Sequence, residues 1–110
     1  MKIDNLKISS AINDCTDFSA GKYELINLDL KNCGDKAISI GEKSNVKIEK
    51  INVNKADIGI ATKDSSILSL KNASLENLRT CVSAYNKKQE FNGGFVKIEN
   101  LTCKKFSNQF

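Results

Sequence analysis

Apolar residues recur along this chain in a fixed phrase of spacings, +3, +2, +3, restated about every 22 residues. The first statement is Ile3, Leu6, Ile8 and Ala11. It returns as Leu25, Leu28, Leu30 and Cys33, as Ile48, Ile51, Val53 and Ala56, and as Leu70, Ala73, Leu75 and Leu78. A last statement reads Ile98, Leu101, Cys103 and Phe106. A helix would repeat every 3.6 residues and a flat strand every 2, and neither yields this alternation. Short strands joined by tight turns do, and a period in the twenties marks a solenoid whose turns stack on one another.

The phrase divides the chain into rungs over 1–20, 21–43, 44–65, 66–93 and 94–110. Each opens on a strand such as YEL (23–25) or VKI (46–48), then bends at Asn5, Asn27, Lys50, Asn72 or Asn100. Asparagine tolerates the left-handed backbone of a sharp corner, and its amide can hydrogen-bond along a stack, so these asparagines are expected to form a structural ladder. A second strand ends at a corner marked by Ser10, Asn32, Lys55, Asn77 and Lys105, and a third follows as CTDF (15–18), AISI (37–40), DIGI (57–60) and TCVS (80–83). Gly21, Gly34 and Gly41 fall at corners, where positive φ is cheap for glycine. The pattern predicts an all-β, right-handed parallel β-helix, a single-stranded β-solenoid of about five rungs with three short strands each. Its vertical files are specified: Leu30, Val53 and Leu75 should lie one above the next. The whole chain, 1–110, reads as one domain. Neither end reads as a cap, so the chain is taken as a fragment of a longer solenoid, with self-association expected through uncapped ends.

Charge changes this picture little. Seventeen basic residues against 13 acidic ones give a net +4, and the lysines are dispersed among the acids. Arg79 is the lone arginine and there is no tryptophan, which argues against a nucleic-acid groove of clustered arginines and stacking aromatics. No apolar run is long enough to span a membrane, and the opening MKIDNLKIS carries no signal segment.

The repeats resemble those of the right-handed parallel β-helix, or pectin-lyase-like, superfamily along essentially the whole chain. Within it, CGDKAISIG (33–41) resembles the glycine-aspartate-aspartate segment of polygalacturonase-type glycosidases. NDCTDFSAG followed by CGDKAISIGEKS is similar to solenoid segments of marine bacterial surface proteins, found beside spore-coat-H-like modules. The resemblance implies a carbohydrate-active or surface-associated role, and it also allows a test. Asp35 matches the first aspartate of the hydrolase pair, but Lys36 replaces the second, and the chain has no histidine. The acids Asp14, Asp17, Asp35 and Asp57 read as turn-capping residues rather than the two opposed carboxylates that glycoside hydrolysis needs. A lyase would need clustered acids for calcium beside a base, and Arg79 lacks them. The expectation is therefore no enzyme, no catalytic residue, no metal and no cofactor.

The four cysteines share no inward file, and offsets along a rung put any pair beyond disulfide reach unless a corner folds back. Buried free thiols are expected, without CxxC or histidine to suggest a metal. A row of threonines suited to ice is absent, since the outward file reads Lys7, Asp29, Asn52, Ser74, Thr102. The repeat breaks at 85–94, YNKKQEFNGG, which adds about six residues. Insertions in solenoids project from one face and often hold a recognition surface. One reading folds Phe91 back over an exposed patch of the stack with Tyr85 beside it; in the other, Tyr85, Lys88, Gln89, Phe91 and Asn92 are the candidate contacts for a carbohydrate or protein ligand. The expected function is thus a non-catalytic structural or recognition segment of a larger bacterial, extracellular or cell-surface protein. The competing reading is a fragment of a polysaccharide lyase or hydrolase whose catalytic rungs lie elsewhere.

Overall fold

A computed structural model describes residues 1–63, 65–84 and 95–105. It is a parallel β-solenoid of about 4 turns, with no helix among the described residues. The strands are β1 (Lys2–Ile8), β2 (Thr16–Phe18), β3 (Gly21–Lys31), β4 (Lys36–Ile40), β5 (Ser44–Thr62), β6 (Ile67–Ala84) and β7 (Phe95–Lys105). All pairings are parallel and belong to one sheet, β1-β3-β5-β6-β7 on one side and β2-β4-β5 on the other.

The files fall where the spacing phrase puts them. Ile8 pairs with Leu30, Leu30 with Val53, Val53 with Leu75 and Leu75 with Cys103. The same holds for Ile3–Leu25–Ile48–Leu70–Ile98 and for Leu6–Leu28–Ile51–Ala73–Leu101. Leu25, Leu28, Leu30, Ile51, Val53, Leu70 and Leu75 are all buried at 3 % exposure or less. A buried leucine or isoleucine contributes about 1.5–3 kcal/mol, so the files supply most of the cohesion between turns. On the third strands, Thr16–Ile38–Ile60–Val82 and Phe18–Ile40–Thr62–Ala84 stack in the same way. At the last turn the register shifts between Glu76 and Leu78, and Leu78 faces Lys105. Phe106, the expected partner of Leu78, lies outside the described residues.

The strands are longer than the three short pieces per turn inferred from sequence. β5 runs without interruption through all three sides of its turn. At the first bend only Asp4, Ile26, Glu49, Lys71 and Glu99 drop out of the ladder, and pairing resumes at the next residue. One unpaired residue is enough to turn the chain while both flanks stay hydrogen-bonded to the neighbouring turns.

Two corner assignments need correction. Left-handed backbone does not occur at Asn5, Asn27, Asn72 or Asn100. It occurs at the second corner, at Asn32 (φ 52), Lys55 (φ 77) and Asn77 (φ 59), and at the third, at Ala20, Lys43 and Ser65. Of the three corner glycines, Gly21 alone has positive φ. Gly34 is there for space, since a Cβ would land on the backbone carbonyl of Ile12 in the turn below.

The cysteines are the larger correction. Cys15 is bonded to Cys33 and Cys81 to Cys103, and no cysteine is free. The reason is the fold-back that vertical stacking does not reveal. Cys33 lies over Ala11, and the chain reverses between Ala11 and Cys15, which brings the Cα atoms of Cys15 and Cys33 to 5.3 Å. Cys103 lies over Leu75, and the following strand returns toward it, leaving the Cα atoms of Cys81 and Cys103 6.3 Å apart. Both separations lie within the disulfide range. Each bridge ties one turn to the next, one at each end of the described stack.

Candidate functional site

The residues proposed for recognition, Tyr85, Lys88, Gln89, Phe91 and Asn92, lie outside the described residues. What surrounds that segment is described, and the fourth turn is the long one. Asn72 and Asn100 are 28 residues apart, against 22 for Asn5 and Asn27.

The carboxylates weighed for catalysis are spread over one corner and are mostly engaged. Lys36 Nζ lies 2.8 Å from Asp35 Oδ2 and 3.9 Å from Asp14 Oδ1. Asp14 Oδ1 also accepts the backbone N–H of Lys36 at 3.1 Å. Arg79 Nε lies 2.8 Å from Asp57 Oδ1, and its Nη2 donates to Asp57 Oδ2 at 2.9 Å. That is the two-pronged guanidinium–carboxylate geometry. Asp17 stands exposed on β2. Lys36, which occupies the second acidic position of the hydrolase-like segment, thus bridges two of the acids. Among the described residues no group of three or more histidine, cysteine or acidic side chains could hold a metal ion.

The amide side chains pair across turns. Asn27 Nδ2 donates to Asn5 Oδ1 at 3.0 Å, and Asn100 Nδ2 donates to Asn72 Oδ1 at 3.0 Å. Lys50 stands in register between the two pairs. A further pair, which sequence reasoning missed, lies at the second corner, where Asn77 Nδ2 donates to Asn54 Oδ1 at 2.8 Å. Its signal was the spacing of 23 residues between two asparagines near the corner.

These amides belong to an exposed sheet face with a distinct chemistry. The outward file Lys7–Asp29–Asn52–Ser74–Thr102 is flanked by the Asn5–Asn27–Lys50–Asn72–Asn100 file. Two grooves run between them, about 280 Å³ from Asn5 to Lys50 and about 190 Å³ from Lys50 to Asn100, and Lys50 and Asn52 line both. Around the second corner a wider hollow of about 710 Å³ is lined by Asn32, Cys33, Gly34, Lys55, Ala56, Asp57 and Asn77. The outer side of the first strands differs. Its groove of about 450 Å³ mixes Lys2, Lys47, Lys71 and Lys97 with Glu24, Glu49 and Glu99, so opposite charges offset one another.

Comparison with protein-family models, curated proteins and solved structures finds no match to this chain. No helix among the described residues is long and apolar enough to cross a membrane.

Proposed function

We infer that this chain is a non-catalytic recognition or scaffold solenoid of a larger extracellular or surface-associated protein, taken as bacterial from the resemblance of its repeats. The observation that carries the non-catalytic part is the engagement of the candidate acids. A glycosidase needs two carboxylates facing a sugar from opposite sides, one of them protonated. Here Asp35 and Asp14 share Lys36, and Asp57 is held by Arg79. The two disulfides support the extracellular part, because such bonds persist in oxidising compartments and are rare where thiols are kept reduced. Recognition is assigned to 85–94, whose aromatic and amide side chains suit contact with a sugar ring or a protein surface.

The experiment is a glycan and protein-ligand screen on the full chain beside Tyr85→Ala/Phe91→Ala, with polyuronide cleavage assayed in parallel. Binding that the double substitution abolishes, with no cleavage product, is the expected result. Cleavage that disappears in Asp35→Asn would replace this reading with the alternative, a carbohydrate-active β-helix protein.

A further inference from the structure

The third turn breaks a rule that its neighbours keep. At the first bend of the second strand, the turns above and below carry asparagine, and the third carries Lys50. At the second corner the neighbours carry Asn32 and Asn77, and the third carries Lys55. Both departures work against the fold. An asparagine at 50 would donate to Asn27 and accept from Asn72, joining two separate amide pairs into one ladder. Lys55 holds left-handed backbone at φ 77, a conformation that asparagine tolerates far better than lysine. The third corner places Ala20, Lys43 and Ser65 in the same conformation, so strain alone is not distinctive. What is distinctive is one turn with lysine at both ends of one strand where the adjacent turns have asparagine. Local rules are broken in this way chiefly where function requires it.

We propose that Lys50 and Lys55 are a two-point anchor for a phosphate-bearing, hydroxyl-rich linear polymer laid along the second strand of the third turn. Among the described residues neither ammonium has an ion-pair partner. Lys50 projects between the two exposed grooves, and Lys55 borders the hollow at the second corner. Four residues separate them, so their Cα atoms lie no more than about 18 Å apart. Between them stand the exposed amides of Asn52 and Asn54; Asn54 Oδ1 accepts from Asn77, and its Nδ2 is a donor for hydroxyl groups beside Asn52. The strand exposes no aromatic ring on which a base could stack and no apolar side chain to seat a peptide. A lysine ammonium is a point charge with three donors, suited to a phosphate oxygen, and it lacks the fork by which arginine grips a carboxylate in two places. In the neighbouring turns Asp29 and Ser74 flank Asn52, and Lys31 and Glu76 flank Asn54, so Lys31 adds a third ammonium beside the strand between Lys50 and Lys55.

This site is made of other residues than 85–94, and it stands or falls separately from the recognition assigned there. The test measures binding of a glycerol phosphate oligomer of defined length to the full chain by calorimetry at low ionic strength. Dextran and an oligogalacturonate of equal length serve as neutral and carboxylate comparisons. Lys50→Asn/Lys55→Asn should melt at a higher temperature than the parent and bind the phosphate oligomer at least tenfold more weakly. Lys50→Gln/Lys55→Gln should lose binding likewise without completing the ladder, and Lys104→Asn should change binding less than twofold. Raising the salt should weaken the parent's binding, as screening of exposed charges requires. Undiminished affinity in both double variants, equal affinity for dextran or the oligogalacturonate, or no binding of the phosphate oligomer at millimolar concentration would each overturn the proposal.

Discussion

Reducing the two bridges and following unfolding in urea puts a number on what the disulfides contribute. Cys15–Cys33 closes a span of 18 residues and Cys81–Cys103 one of 22. In chain-entropy terms, cross-linking loops of that length removes about 3 kcal/mol of unfolded-chain freedom per bridge. A domain of this size is stable by about 5–15 kcal/mol in total, so losing about 6 kcal/mol removes a large part of it. With a urea dependence of about 1.5 kcal/mol per molar, each bridge is expected to move the midpoint by about 2 M. The assay is far-UV circular dichroism against urea for four forms: oxidised, fully reduced, Cys15→Ala/Cys33→Ala and Cys81→Ala/Cys103→Ala. Each double variant should lose about half of what full reduction loses, because the bridges join different pairs of turns. Coincident midpoints for the oxidised and reduced forms would refute the reasoning. So would four titratable thiols in the native protein, which is the outcome expected from the sequence alone.

Two further substitutions probe the interior. Leu30→Ala should cost about 2–5 kcal/mol by thermal or urea melting, since Leu30 is fully buried between Ile8 and Val53. Leu101→Ala, at 47 % exposure in the last turn, should cost distinctly less, and equal losses would contradict the assignment of inner and outer turns. Thr62 is fully buried above Ile40, and among the described residues its hydroxyl has no hydrogen-bond partner. Thr62→Val should therefore raise stability by about 1 kcal/mol, and a loss of stability would show that the hydroxyl is satisfied.

The stacking register was legible in the sequence because a repeated phrase of apolar spacings reports what lies above what. It placed Leu30, Val53 and Leu75 in one file and CTDF beside AISI, as the pairing shows, but it set the third turn two residues early, since AISI (37–40) pairs with 59–62 rather than with DIGI (57–60). It could not report what approaches laterally within a turn. Cys15 reaches Cys33, and Cys81 reaches Cys103, only because the second and third strands converge past the second corner, and periodicity carries no trace of that convergence. The corner asparagines illustrate a second limit. The residue type permits both an amide hydrogen bond and a left-handed backbone. Asn27 and Asn100 use the first alone, while Asn32 and Asn77 use both, their amides donating to Ser9 and Asn54 from left-handed backbone. For the acids, the sequence exposed the Lys36 replacement, but its salt bridges to Asp14 and Asp35 required coordinates.

Inter-strand nuclear Overhauser contacts in uniformly labelled protein test the stacked turns most directly. Backbone amide and Hα protons of Leu30 should show contacts to those of Val53, and those of Val53 to Leu75, in the pattern of parallel pairing. Their absence, or contacts linking Leu30 to residues outside the Ile8–Val53–Leu75 file and its immediate neighbours, would contradict the solenoid and the roles assigned from it.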